Sequence, residues 1–227
     1  MIPATGRRDR VTVSGPDTWS FLQSLLSQDV ESLPEGERRM TLLLTPQGKV
    51  DVLAGITRVG DDAVLDTDPG WGERLAAALA RFKIRTKVEI TSDAAPAVDD
   101  ATAAAEESER IRAGVPRLGA DLDESVIPQE ALLEQDAVSF TKGCFVGQEL
   151  VCRIDSRGHV NRFLRRLEPG DDTTVLPVGG EIVVDGTAVG VVTSSTAGAA
   201  LGYVRREVEP PASATVGGTP VTVAALA

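Results

Sequence analysis

Short apolar segments separated by glycine turns fill the C-terminal part of the chain, and this pattern limits the fold more than any other feature. Pairs of turn residues stand at Gly179-Gly180, Asp185-Gly186 and Gly217-Gly218. The segments around them have the length and composition of β-strands and cover residues 163–167, 181–184, 188–194, 200–205 and 221–225. Closely spaced short strands with glycine turns are typical of small barrels. The sequence therefore predicts a C-terminal β-barrel domain over residues 161–227.

Residues 1–160 have a different pattern, in which two amphipathic helices alternate with short strands. Apolar side chains recur at helical spacing after a Ser-Gly-Pro start, at Trp19, Leu22, Leu25, Leu26 and Val30. A second helix is predicted over 71–82, and strands over 10–13, 40–44, 50–58, 64–65 and 87–91. The order β-α-β-β-β-α-β predicts an α+β region with helices on one face of an antiparallel sheet.

The stretch 92–105 is rich in alanine and aspartate and contains a proline, so we expect a linker or exposed loop that divides this region into two lobes. A short helix is predicted over 108–113. Farther along, a strand is predicted over 138–141 and a helix over 146–153.

The charge of the chain is negative overall but unevenly distributed. The net charge is −11, which argues against broad nucleic-acid binding because that binding depends on neutralising phosphates. Between Lys142 and Arg166, however, six cations face two carboxylates, a local charge of +4. This basic island either binds an anion, since arginine matches carboxylate and phosphate groups, or is a solvated face.

Neither a membrane span nor a secretory signal is visible in the sequence. No apolar run approaches the roughly 20 residues that cross a bilayer, and residues 1–10 have no apolar core. We therefore expect a cytoplasmic protein without a membrane partner.

The run Lys142-Gly143-Cys144-Phe145-Val146-Gly147-Gln148-Glu149 places one of only two cysteines between two glycines. Lys142 and the N-terminus of the helix predicted next would both favour the thiolate of Cys144. The alternative is a small apolar thiol in a turn. A disulfide with Cys152 is not expected, because a helix would separate the two by roughly 12 Å. Two cysteines and one histidine predict no zinc site of the usual kind.

This run resembles the Lys-Gly-Cys-Tyr-x-Gly-Gln-Glu motif of the YgfZ family, the folate-binding relatives of the glycine-cleavage T-protein (aminomethyltransferase). Phe145 stands where tyrosine is usual. Further segments fit the family in the right order. They are Val11-Thr12-Val13-Ser14-Gly15-Pro16-Asp17, Phe21-Leu22-Gln23, Gln28-Asp29-Val30, Leu44-Thr45-Pro46-Gln47-Gly48-Lys49-Val50, Arg110-Ile111-Arg112-Ala113-Gly114-Val115-Pro116 and Ile127-Pro128-Gln129-Glu130.

The resemblance implies a folate-binding α+β region followed by a β-barrel, tetrahydrofolate or a derivative as cofactor, and a role in assembly or repair of iron–sulfur clusters. It implies iron–sulfur client or assembly proteins as partners. Within the motif, Cys144 would be the working thiol and Lys142 would tune it. The supporting residues would be Gly143, Phe145, Gly147, Gln148 and Glu149. The resemblance places acids for the pterin at Asp51 and Glu130, and the basic island offers Arg153, Arg157 and Arg162 for the anionic tail of folate.

Two departures from the enzyme branch of the family argue against aminomethyl transfer. T-proteins carry a second acid where this chain has Val52, and an acid where it has Arg112. A tetrahydrofolate-dependent aminomethyl or one-carbon transferase remains the alternative. A second alternative is a cysteine-based hydrolase or redox protein without folate, for which His159 is the sole histidine available as a base.

Overall fold

A computed structural model of the chain describes residues 6–226. The first half of the segment 1–10, in which the sequence predicted no signal, lies outside the described residues. The first seven elements are β1 (Asp9–Ser14), α1 (Thr18–Leu25), β2 (Arg38–Leu44), β3 (Val50–Val59), β4 (Asp62–Thr67), α2 (Gly72–Ala80) and β5 (Glu89–Asp93). The predicted order β-α-β-β-β-α-β is confirmed. The strands form one antiparallel sheet in the order β2-β3-β4-β1-β5.

Strand β1 lies inside this sheet, between β4 and β5, and every second side chain of it is buried. Val11 and Val13 are fully buried, as the period of two predicts. Asp9 is also buried, and its carboxylate accepts the backbone N–H groups of Gly70 and Gly72 at 2.8 and 2.9 Å. These bonds connect the start of β1 to the start of α2.

Helix α1 is shorter than predicted, since it ends at Leu25 and not at Val30. The backbone turns to an extended conformation at Leu26. The carbonyl oxygens that a longer helix would use internally accept hydrogen bonds from the Lys142 ammonium group instead. A long-range contact therefore ends the helix where the apolar spacing alone would continue it.

The prediction of a linker over 92–105 is wrong in its second half. Strand β5 runs to Asp93, and helix α3 spans Asp100–Arg112, well before the predicted start at residue 108. The Asp99 side chain accepts the backbone N–H of Thr102 at 2.8 Å and caps the helix. Alanine, which suggested low complexity, is the strongest helix former, so a capped alanine-rich stretch is helical.

A 3-10 turn (Pro128–Ala131) and helices α4 (Glu134–Ala137) and α5 (Gln148–Arg157) follow. The prediction of a strand over 138–141 is wrong. Val138 has extended dihedral angles, but the neighbouring backbone contributes a single bond, from Ser139 N to Ser27 O at 3.0 Å. A single backbone hydrogen bond does not form a β-strand pairing.

The C-terminal barrel is confirmed. Its strands are β6 (Arg162–Pro169), β7 (Glu181–Val184), β8 (Thr187–Thr196), β9 (Ala199–Arg205), β10 (Ala212–Val216) and β11 (Thr219–Ala224), which close in the order β10-β11-β6-β9-β8-β7. The sequence missed β10, because Ala-Ser-Ala-Thr-Val has few of the bulky side chains that indicate a strand. Leu167, Ile182, Val204 and Val216 are fully buried in its core.

The chain forms two compact units. The first contains the residues up to Ala97, Asp123–Pro128 and Leu133–Gly158, and the second contains Val98–Leu122, Gln129–Leu132 and the barrel from His159 onward. The domain boundaries at 160 and 161 stay a prediction. Within residues 6–226, no helix is long and apolar enough to cross a membrane.

Candidate functional site

The cysteine loop, residues 142–149, belongs to the first unit and is held at its start by Lys142. The Lys142 ammonium donates to the carbonyl oxygens of Gln23, Leu26 and Gln28 at 2.6, 2.6 and 3.0 Å. A cation at the C-terminus of α1 is favourable, because the free carbonyls carry partial negative charge. Burial lowers the pKa of Lys142 to about 8, against the opposing effect of the Asp29 carboxylate.

Gly147 holds the loop at its other end. It precedes α5 with a left-handed φ of 76°, and a Cβ there would clash with the Thr45 carbonyl oxygen and lie 3.0 Å from Gly48 Cα. Gly48 also has a left-handed φ, of 75°, and a Cβ on it would lie 2.8 Å from Gly147 O. The β2–β3 turn and the cysteine loop therefore pack against each other at Gly48 and Gly147, and their backbones lie too close together to leave room for a side chain at either position.

Between these two anchors the loop closes on itself and exposes Cys144. Gln148 accepts the Phe145 N–H with its side-chain oxygen at 3.2 Å, and the Phe145 ring is 7% exposed. Cys144 is exposed and lies three residues before Gly147, the N-cap of α5. Its neighbour Gly143 has open space around it. A fixed loop thus presents an accessible thiol.

Cys152 differs from Cys144 in its surroundings. It lies in α5, is partly exposed rather than buried, and is also a free thiol. Partial burial raises the pKa of Cys152, and the negative charge of Asp155 raises it further. Among residues 6–226, no group of three or more histidine, cysteine or acidic side chains could hold a metal ion.

Asp51 is bound by an arginine that the sequence reasoning did not identify. Arg74 Nε and Nη2 donate to Asp51 Oδ1 at 3.0 and 2.6 Å, and Nη2 also pairs with Glu124. These hydrogen bonds raise the pKa of Arg74. The three residues line two hollows of about 360 and 300 Å³, and the Trp71 ring lies 5.1 Å from the Arg74 guanidinium. At this predicted folate position, the structure therefore shows Asp51 in an ion pair with Arg74.

Glu130 and Arg162, two other predicted folate residues, come together in the second unit. Arg162 Nε and Nη2 lie 3.2 and 3.4 Å from the Glu130 carboxylate, which is 9% exposed. The guanidinium also lies 4.4 Å from the centre of the Tyr203 ring. Arg162 and Tyr203 line a hollow of about 310 Å³ on the barrel. Tyr203 was missed because nothing in its local sequence distinguishes it from a core strand residue.

The remaining predicted residues lie on the surface. Arg153 and Arg157 are exposed on α5, and Glu149 is exposed in its first turn. His159 is exposed and belongs to the second unit. The roles predicted for these side chains stay predictions.

A buried ion pair in the second unit accounts for part of the Arg-Ile-x-Ala-Gly segment. Arg110 Nη1 lies 2.7 Å from the carboxylate of Asp121, whose side chain is fully buried, and Nη2 donates to Ser194 Oγ at 2.8 Å. The Tyr203 hydroxyl donates to the Asp121 carbonyl oxygen at 2.9 Å. Arg110 thus joins α3 to the barrel, a role inside the fold.

The geometry defines a class of protein: an α+β unit that presents a cysteine loop, together with a closed six-stranded barrel. A family model described as the CAF17 C-terminal beta-barrel domain matches residues 165–226. The crystal structure of the glycine cleavage system aminomethyltransferase T from Bartonella henselae superposes with a TM-score of 0.84 at 19% identity, covering 96% of this chain and 83% of that one. The predicted T-protein-like fold is confirmed.

Three curated proteins are similar in sequence. An uncharacterized protein of Haemophilus influenzae is 25% identical over 191 residues, covering 68% of each chain. The iron-sulfur cluster assembly factor IBA57 homolog, mitochondrial, of Pyricularia oryzae is 25% identical over 210 residues, covering 68% of this chain and 54% of that one. The tRNA-modifying protein YgfZ of Serratia proteamaculans is 44% identical over 59 residues, 26% of this chain and 18% of that one.

These matches agree with the resemblance stated above: the chain is similar in sequence to an IBA57 homolog and, over a short stretch, to YgfZ, and it has the fold of the glycine-cleavage T-protein. It spans about half the length of the fungal relative and about one fifth of the Serratia one.

Proposed function

We propose that this protein binds a reduced folate and assists the assembly or repair of iron–sulfur clusters, with Cys144 as its working thiol. The observation that carries the proposal is the cysteine loop, in which Lys142 and Gly147 fix both ends while Cys144 stays exposed. A packing thiol needs no such presentation. The similarity to an iron-sulfur cluster assembly factor over 68% of the chain supports the cellular role.

The residues of the second unit fit one end of a folate. Arg162 offers a guanidinium for a carboxylate, and this guanidinium lies over the Tyr203 ring and is held by the buried Glu130 carboxylate. Arg162 and Tyr203 line a hollow of about 310 Å³, which lies within the size range of small-molecule sites. A bound folate would supply a one-carbon carrier; Arg162 would orient its anionic tail, and Glu130 would keep Arg162 in place.

Direct titration tests the folate part. Calorimetry with tetrahydrofolate is expected to show saturable binding to the wild-type protein and weaker binding to Arg162→Ala. A variant with the conservative change Arg162→Lys keeps the charge but not the fork, and is expected to bind with intermediate affinity. No heat of binding at millimolar ligand would refute this part.

Support of cluster enzymes tests the thiol part. In cells that lack the native protein, the wild-type chain is expected to restore the activity of a [4Fe–4S] dehydratase, and Cys144→Ser is not. Cys152→Ser is the matched control, because the second thiol lies in α5, directly after the loop, and is less exposed. Full rescue by Cys144→Ser would leave the structural interpretation of this thiol standing.

We also propose that the protein does not catalyse aminomethyl transfer. Val52 follows Asp51, where the enzyme branch has a second acid, and Asp51 itself is paired with Arg74. An assay of tetrahydrofolate-dependent ammonia release from an aminomethylated carrier is expected to give no turnover. Turnover that Asp51→Asn abolishes would establish the transferase alternative. The expected cytoplasmic location stays a prediction, which fractionation of cells would check.

A further inference from the structure

The loop between α2 and β5 has a composition that neither the fold nor the proposed folate site uses. It reads Arg81-Phe82-Lys83-Ile84-Arg85-Thr86-Lys87, and we name it the 81–87 strip. Cations occupy every second position, and the strip contains no carboxylate. In a chain with a net charge of −11, four cations in seven residues make a distinct local field.

The strip is open to solvent. Ile84 is 75% exposed and Phe82 41%, so two large apolar side chains stand between the charges. Among the residues that the structure describes, none of the four cations forms an ion pair. Single exposed apolar residues are ordinary, but two of them interleaved with unpaired cations are not needed for folding.

The backbone of the strip is held in an unusual conformation. Arg85 has a φ of 62°, a left-handed value that is rare for a residue with a long side chain. The Lys87 N–H donates to the Asp17 carboxylate at 2.7 Å, which fixes the end of the strip. The buried Thr86 hydroxyl oxygen has no hydrogen-bond partner among residues 6–226. A segment held in a rare backbone conformation is a candidate recognition element.

The smaller of the two hollows beside Asp51 adjoins the strip. It measures about 300 Å³, and Arg81 and Phe82 form one wall of it. Leu43, Leu44, Pro46 and Ala78 contribute apolar surface to the other walls, which also contain Asp51, Arg74 and Glu124. The two carboxylates of the hollow are already paired with Arg74, so a partly apolar concavity lies beside a row of cations. This combination matches an extended ligand that carries one bulky apolar side chain among negative charges.

We propose that the 81–87 strip and this hollow form a docking surface for an acidic protein segment with a bulky apolar anchor. The inference rests on the proposed function, since the partner would be one of the cluster-assembly or client proteins proposed above. A flat bilayer surface would meet the exposed Ile84 but could not fill the hollow. A nucleic acid would lack aromatic platforms for its bases, since Phe82 is the sole aromatic side chain of the strip.

A binding experiment with a defined probe tests the surface. The probe is a fluorescent heptapeptide with one leucine between two runs of three glutamates, and fluorescence anisotropy reports its binding. The double variant Arg81→Glu/Lys83→Glu is expected to bind about tenfold more weakly, because two attractive contacts become repulsive. A peptide with serine in place of leucine is also expected to bind more weakly, and added salt is expected to weaken every complex.

The control variant is Arg10→Glu/Arg112→Glu, which changes the charge equally at two other exposed positions and is expected to bind like wild type. The inference is overturned if the peptide does not bind at millimolar concentration, or if the control loses binding equally. It is also overturned if phosphatidylcholine–phosphatidylglycerol vesicles or a single-stranded oligonucleotide, and not the peptide, bind in a strip-dependent way.

Rescue of the cluster enzyme in cells separates this inference from the function on which it rests. The wild-type chain is expected to restore activity. The variant Arg81→Glu/Lys83→Glu is expected not to restore it, at equal protein level and equal folate affinity. Full rescue by the strip variant would overturn the docking surface and leave the proposed function intact. Failure of the wild-type chain would instead refute the proposed function.

Discussion

Two glycines of the cysteine loop look equivalent in the sequence but differ in the structure. Gly147 has a left-handed φ and almost touches the β2–β3 turn, whereas Gly143 has open space and no left-handed φ. We expect Gly147→Ala to lower the free energy of unfolding by about 2 kcal/mol or more, through strain and steric clash. Gly143→Ala is expected to change it by less than about 0.5 kcal/mol. Urea unfolding measures both, and equal losses would contradict the assigned geometry.

The lowered pKa of Lys142 leads to a prediction of how the free energy of unfolding depends on pH. Its pKa of about 8 in the folded protein lies below the ordinary value of 10.5, because burial disfavours the charged form. Between these two values the unfolded chain holds the proton more tightly, so the Lys142 contribution to the free energy of unfolding rises with pH. Below about pH 8 the group is charged in both states and contributes no slope.

The measurement compares the wild-type protein with Lys142→Met in urea at pH 8 and pH 10. The variant loses three hydrogen bonds at any pH, but the stability difference between the two proteins is expected to be larger at pH 10. A difference that stays constant or shrinks would show that Lys142 keeps its proton across this window. Subtracting the variant removes the other groups that titrate here.

The two thiols should differ in reactivity. Cys144 is exposed on the loop, whereas the pKa of Cys152 is raised by burial and by neighbouring negative charge. Because the thiolate is the reacting form, iodoacetamide at pH 7 is expected to alkylate Cys144 first. Peptide mass mapping over a time course checks this order. Equal rates at the two positions would contradict it.

At the scale of elements, contacts between distant segments decided what the local pattern could not. The order of the first seven elements and the barrel followed from apolar spacing and glycine turns. Helix α1 ends early because Lys142, more than a hundred residues later in the chain, takes its carbonyl groups, and no local signal contains that information. Helix α3 was hidden because alanine and aspartate indicate both a linker and a capped helix.

Helix α3 offers a matched pair of arginines for a stability test. Arg110 is 8% exposed and pairs with the fully buried Asp121, whereas Arg112 is exposed in the same last turn. Arg110→Met is expected to cost about 3–5 kcal/mol, because it leaves a buried carboxylate without the cation that neutralises it. Arg112→Met is expected to stay within about 0.5 kcal/mol of wild type. Urea unfolding compares them; equal effects would show that Arg110 does not anchor the helix.

At the scale of the whole molecule, the sequence indicated the cysteine loop but not the side chains that surround the predicted folate residues. The Cys144 loop was identified from its motif, because the glycines, the cation and the thiol are adjacent in the chain. The partners of the folate residues were not, since Arg74 and Tyr203 come from other elements and carry no local mark. Pocket residues gather only through the fold, and a single sequence shows no distances.

The distribution of charge over the whole molecule gives a final prediction, on the salt dependence of folate binding. The chain is acidic overall, but the region from Lys142 to Arg166 is basic, and Arg153 and Arg157 are exposed there. An anionic folate tail bound by such exposed cations is screened by salt, with a Debye length of about 8 Å at physiological ionic strength. Calorimetry in 0.5 M salt is expected to show about two- to fivefold weaker binding than in 0.05 M salt, the range of one exposed ion pair. In Arg153→Gln/Arg157→Gln this salt dependence should shrink, whereas Arg206→Gln, another exposed cation, should preserve it. An affinity that is independent of salt would mean that Arg153 and Arg157 belong to a solvated face and that the ligand is bound without them.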